Sequence, residues 1–221
     1  MAGGMISLTG VERTPEGPDA ERLRLTTDCG AIECRYHPAV DGDVAILWVF
    51  GAGGGLGGPA GGIYTRLGAR LRPRAVTSLE LAYRQPGALA ECVLDTLAGL
   101  AWLEAQGRSR VVLVGHSFGG AVVINAGADS DTVIAVVAMS SQTAGTSAVA
   151  RLSPKPVLFI HGKADEVLSE SCSYDLYARA GDPKQLIIYP RCRHGLDECR
   201  DALDRDLTQW LATVIGLDRA V

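Results

Sequence analysis

Six largely apolar runs, each of strand length, recur along this chain: Val44 to Phe50, Ala75 to Leu81, Val111 to Val114, Val133 to Ala138, Val157 to Ile160 and Leu186 to Tyr189. A strand that is apolar on both faces has to be covered on both, and a parallel sheet flanked by helices does this. Segments with helical spacing fill the gaps, at Ile63 to Leu71, Leu89 to Ala105, Phe118 to Ala126, Leu168 to Ala180 and Leu196 to Ile215. The alternation predicts an α/β fold built on one mainly parallel sheet with helices on both faces. Ahead of it, Arg22 to Thr27 and Ala31 to Tyr36 alternate in polarity around Asp28-Cys29-Gly30, which predicts an antiparallel hairpin at the entry to the sheet. Residues 1–20 mix Gly, Pro and charges and read as a loosely ordered lead, leaving 21–221 as a single domain.

With 47% apolar residues and 21% charged, the chain can bury a core without staples. Its net charge of −4 is dispersed along the sequence, so it offers no footprint for nucleic acid or an anionic membrane, and a small molecule is the expected partner. No basic start followed by an apolar stretch opens the chain, and its apolar runs are too short to cross a bilayer; the expectation is a cytoplasmic protein with no membrane insertion. Six cysteines in so large a chain do not resemble the disulfide frameworks of small secreted domains, and they are expected to be mostly reduced. Nothing in the sequence states an oligomeric form.

Chemistry concentrates at the ends of the apolar runs. Gly115-His116-Ser117-Phe118-Gly119 lies between a strand and a helix, as a nucleophile elbow does: the tight turn lifts a serine hydroxyl to the C-terminal edge of the sheet, where a base can reach it. An ordinary helix-capping serine in a Gly-rich turn is the plainer alternative. A base and an orienting acid should then follow in the order Ser, Asp, His. Asp165 follows Val157 to Ile160 and His194 follows Leu186 to Tyr189, whereas His37, His116 and His161 are placed less well for the base, and Glu166 is the alternative acid. Gly51 to Gly62, with eight glycines in twelve residues, must be a loop. It follows the first apolar run, where an oxyanion-binding N–H is expected; Ala52 would supply one and Phe118 the other. Gly53 and Arg84, in the loops framing the opening, are candidate substrate contacts.

Ser, Asp and His in this order, each after a strand, resemble the α/β-hydrolase superfamily, in particular its compact dienelactone-hydrolase-like branch. Over residues 22 to 216 the resemblance implies an α/β-hydrolase fold, a nucleophile at Ser117, an acid at Asp165, a base at His194, oxyanion N–H groups at Ala52 and Phe118, and no cofactor or metal. Two positions depart from it. Phe50-Gly51 stands where many members have His-Gly, and Ser117 stands where the dienelactone hydrolases proper have cysteine, which favours a small ester or thioester as substrate. Only Ser140 to Ser153 separate the run ending at Ala138 from the next strand region, so no cap domain is expected.

Three rivals start from other features. Gly53-Gly54-Gly55-Leu56-Gly57-Gly58 matches a dinucleotide-binding loop, with Glu80 some twenty residues on, and would make the chain an NAD(P)-binding oxidoreductase. A hydrolase-fold binding protein without catalysis would keep the architecture alone. Cys192, His194 and Cys199 lack the fourth ligand of a recognised metal site.

Overall fold

A computed structural model describes residues 6–217. Among the described residues nine strands form one sheet: β1 (Leu8–Pro15), β2 (Glu21–Thr27), β3 (Gly30–His37), β4 (Val44–Val49), β5 (Val76–Ala82), β6 (Arg110–His116), β7 (Val133–Met139), β8 (Val157–Gly162) and β9 (Lys184–Tyr189). Their order across the sheet is β1-β2-β3-β5-β4-β6-β7-β8-β9. The first three pair antiparallel, β3 joins β5 antiparallel, and every contact from β5 through β4 to β9 is parallel. Five helices cover it: α1 (Pro59–Leu71), α2 (Leu89–Ala105), α3 (Phe118–Ala128), α4 (Ser171–Arg179) and α5 (Arg200–Ile215).

Period-two geometry splits each central strand between two cores. All six residues of β4 are buried. Ala45, Leu47 and Val49 pack toward α2 and α3, together with Val122 and Phe159. Val44, Ile46 and Trp48 pack toward α1 and α5, with Leu67 and Leu207. Each fully buried Leu or Ile contributes roughly 1.5–3 kcal/mol of transfer free energy, which is why both faces need their helices. The chain leaves β4 for β5 on one side and returns to β6 on the other, so strand order reverses at β4. Such a reversal opens a crevice beyond the carboxyl ends of the strands.

The hairpin and all six apolar runs become strands, β7 connects to β8 through one 3-10 turn (Ser147–Leu152), and no cap is present among the described residues. The loose lead is corrected in part: residues 8–15 form β1, which is exposed along nearly its whole length and held by its ladder to β2. Residues 1–5 of that lead, and 218–221 at the other end of the expected domain, lie outside the described residues. The reading of the cysteines is corrected at one pair. Cys192 and Cys199 form a disulfide with Cα atoms 5.6 Å apart, whereas Cys29, Cys34, Cys92 and Cys172 are free thiols. No described helix is long and apolar enough to cross a membrane.

Arg84 is a framework residue, which corrects its expected role at substrate. Its side chain is 5% exposed and its Nε donates to Asp95 Oδ1, while its backbone N–H reaches Asp95 Oδ2 at 2.8 Å. The remaining guanidinium nitrogens donate to Glu91 Oε2 at 3.0 Å and to the Cys29 carbonyl at 2.9 Å. A guanidinium with these commitments ties the loop after β5 to α2 and to the hairpin tip. Asp95 is fully buried on α2, so replacing it takes the more buried of two carboxylates from a buried cation and leaves Glu91 as its remaining counter-charge. Asp95→Ala should therefore lower unfolding free energy by about 3 kcal/mol, read as a lower urea midpoint.

Candidate active site

Ser117 sits in the turn from β6 into α3 at φ 57° and ψ −121°. A side chain is rarely held there, and surrounding backbone has to enforce it. Two glycines allow the enforcement. A Cβ on Gly115 would lie 2.1 Å from the Gly119 carbonyl oxygen, and one on Gly119 would lie 2.4 Å from that of Phe50. The Ser117 N–H donates to the Met139 carbonyl at 2.8 Å, docking the turn on β7.

His194 lies between β9 and α5, and its Nε2 is 3.0 Å from Ser117 Oγ. Its Nδ1 lies 2.7 Å from Asp165 Oδ2, in the loop after β8. A carboxylate can only accept, so the proton is on Nδ1, and Nε2 faces the serine hydroxyl with its lone pair. The Asp165 side chain is fully buried, and its Oδ1 accepts the N–H groups of Val167 and Leu168, each at 2.8 Å. Burial pushes its carboxyl up, but the Leu168 N–H, His194 and the Val167 N–H more than reverse this and hold it below the ordinary aspartate range. The loops that carry Asp165 and His194 run against each other, since Ala164 N–H donates to the Cys192 carbonyl at 3.0 Å and Lys163 N–H to that of Tyr189 at 2.9 Å. The Cys192–Cys199 disulfide closes the segment that carries His194.

The loop after β4 completes the crevice. Buried phenols hold its start: Tyr64 donates to the Val49 carbonyl at 2.9 Å and Tyr83 to that of Phe50 at 3.1 Å. Gly54 N–H donates to the Gly51 carbonyl at 2.9 Å, which fixes the plane of the Gly51–Ala52 peptide. Among the described residues the Ala52 N–H makes no backbone hydrogen bond, and the Phe118 N–H stands at the first position of α3, where a helix has no internal acceptor. Phe50, Gly51, Ala52, Gly53, His116, Ser117 and His194 surround a cavity of about 200 Å³ with no carboxylate or ammonium in its wall.

The dinucleotide reading places its acid elsewhere. Glu80 is buried and points back at the Gly-rich loop, accepting the Gly57 N–H at 2.6 Å and the Thr65 hydroxyl at 2.7 Å. Where a bound phosphate would be cradled, the chain's own carboxylate takes the N–H. Cys192 and Cys199, considered as metal ligands, are joined to each other.

Two histidines set aside as the base in the sequence reading lie against the site. His116 Nε2 donates to the His194 carbonyl at 2.8 Å, and His161 lies beside Asp165. Both stand at strand ends, where alternation alone shows only that a residue is buried.

A mainly parallel sheet, a serine on a strained elbow and a direct β7 to β8 connection define a lidless α/β hydrolase. The chain belongs to the dienelactone hydrolase family, whose sequence profile matches residues 60–209. Among solved structures it is similar to a dienelactone hydrolase from Anabaena variabilis (TM-score 0.75, 18% identity, 90% of this chain and 99% of that one). It is also similar to Est1E from Butyrivibrio proteoclasticus (TM-score 0.70, 15% identity, 94% and 100%) and to XC6422 from Xanthomonas campestris, a serine hydrolase without a lid (TM-score 0.65, 20% identity, 89% and 98%). At these identities the likeness is one of fold. The uncharacterized protein YfhR of Escherichia coli strain K12 is 32% identical over 108 residues, and the match spans 38% of each chain.

Burial pushes the His116 imidazole down to about 4, against the pull of the His194 carbonyl. An unfolded imidazole takes its proton at about 6.5, so the unfolded state holds more protons between those values and stability falls as pH drops through that window. His116 should account for about 3 kcal/mol of such loss. The check is the urea midpoint at pH 7 and pH 4.5, with His116→Gln showing the flatter dependence.

Proposed function

We propose that the protein is a serine hydrolase that cleaves small esters or thioesters through an acyl-enzyme on Ser117. The observation that carries this reading is the relay of 3.0 Å from Ser117 Oγ to His194 Nε2 and 2.7 Å from His194 Nδ1 to Asp165 Oδ2. His194 takes the hydroxyl proton as Oγ bonds to the carbonyl carbon, and the Ala52 and Phe118 N–H groups hold the oxyanion. Collapse expels the alkoxide or thiolate, which receives its proton from His194. Water, deprotonated by His194, then attacks the acyl-enzyme, and the acid leaves as Ser117 regains its proton. Asp165 keeps its charge throughout and stabilises the imidazolium.

The cavity beside Ser117 is small and carries no side-chain charge other than that of a histidine. A short, uncharged acyl group matches such a wall, and a carboxylate on the acyl chain would find no cation to replace its water. No cofactor enters the scheme.

Incubation with a fluorophosphonate should add one phosphonyl group to wild-type protein, at Ser117, with loss of fluoride; intact-mass spectrometry should show none on Ser117→Ala or His194→Ala. Hydrolysis of p-nitrophenyl acetate should fall by more than about a thousandfold in Ser117→Ala. Across p-nitrophenyl esters, kcat/KM should decline steeply beyond a butyryl chain. Labelling of Ser117→Ala to the wild-type extent would sink the reading.

A further inference from the structure

Asp165 does not serve His194 alone. His161, fully buried at the end of β8, brings its Nε2 to 3.1 Å from the same Oδ2 that His194 Nδ1 meets at 2.7 Å. The other neighbour of His161 Nε2 is the Leu168 carbonyl oxygen, at 3.0 Å. Both neighbours can only accept, so Nε2 carries a proton; its hydrogen bond is to the Leu168 carbonyl, and Asp165 Oδ2 lies against the same N–H edge of the ring. On the far side of the ring, Nδ1 lies 2.7 Å from Ser173 Oγ, on α4. A hydroxyl is free to donate there, which pins the ring plane from behind. The result is a continuous line, Ser173, His161, Asp165, His194, Ser117, of which only the last three are needed to write the reaction.

Local geometry produces this line. His161 and Asp165 are four residues apart across a turn closed by the Asp165 N–H on the Gly162 carbonyl at 3.1 Å. Gly162 allows the turn to press on the base loop, because a Cβ there would lie 2.1 Å from the Cys192 carbonyl oxygen. Oδ1 is held by two backbone donors, and these alone leave the carboxylate able to pivot about its Oδ1 anchor. The positive N–H edge of His161 beside Oδ2 opposes that pivot.

We infer that His161 is a positioning residue for the reaction proposed above: its Nε2–H edge, set by the Leu168 carbonyl and lying 3.1 Å from Asp165 Oδ2, attracts that oxygen and keeps it aimed at His194 Nδ1. The inference rests on the reading of Ser117, His194 and Asp165 as the reacting set. It assigns His161 no contact with substrate, so its loss should slow the chemical step and leave binding nearly untouched.

The test compares His161→Met with His161→Gln. Both side chains are unbranched and similar in length, and only Gln can donate to Asp165. With p-nitrophenyl acetate, the Met variant should lose about tenfold or more in kcat with KM within about twofold, and Gln should recover most of the loss. The low-field proton NMR resonance of His194 Nδ1–H on Asp165 gives a readout independent of turnover: it should be displaced or lost in Met and kept in Gln. Equal kcat in the two variants, or a wild-type resonance in Met, would overturn the assignment. Should the Met variant not fold, Ser173→Ala carries the test, with a displaced resonance and lower kcat expected and an unmoved resonance overturning it. If wild-type protein takes no fluorophosphonate at Ser117, the hydrolase reading falls, while the resonance still decides whether His161 aims Asp165.

Discussion

The backbone of the turn after β6 has to pass within contact distance of the backbone leaving β4, and much of the molecule is arranged around that approach. Gly119 lies where any Cβ would strike the Phe50 carbonyl, and Gly115 lies where any Cβ would strike Gly119 itself. Only with both positions bare can Ser117 hold its left-handed conformation while α3 packs behind it. The same approach brings Ala52 and Ser117, from different connections of the sheet, to the wall of one small cavity. Tyr64 and Tyr83 then hold the carbonyls that end β4, each from its own face of the sheet. Two apolar cores therefore converge on one strand end, and their packing fixes the backbone beside Ser117.

The loops after β4, β8 and β9 are joined to one another mainly through backbone. Ala60 N–H donates to the Gly195 carbonyl at 2.7 Å, linking the Gly-rich segment to the loop of His194. That link is possible because residues 60–62 take left-handed conformations at the start of α1. Main-chain bonds of this kind leave few rotamers to be lost on binding, and they place the imidazole and carboxylate more firmly than long side chains would. Side chains enter as a second layer: His116 on the base loop and His161 on the acid.

Elements buried on both faces were legible in the sequence, since β4, β6, β7 and β8 announce themselves by continuous apolar runs and α2 by its periodicity. β1 was not, because a strand exposed along nearly its whole length has no burial pattern to display, and only its nonlocal pairing with β2 makes it one. The first turn of α1 was hidden for the opposite reason, as glycines in left-handed conformations read as loop. At the site, Ser117, Asp165 and His194 stood out because each follows a strand at the carboxyl edge. Arg84 misled because sequence displays a charge without its partner, and Asp95 meets it only once α2 packs. The Cys192–Cys199 pair misled because an argument from chain size concerns the whole molecule, whereas two thiols seven residues apart answer to one local loop.

The direct passage from β7 to β8 bears on timing as well as shape. In hydrolases that carry a lid, closure and reopening can set the pace of turnover and can sort substrates by which of them drive the closure. With only a 3-10 turn over residues 147–152 in that connection, this fold lacks such a clock. On the reaction proposed above, discrimination among acyl groups would fall to the outline of the crevice that the described residues form.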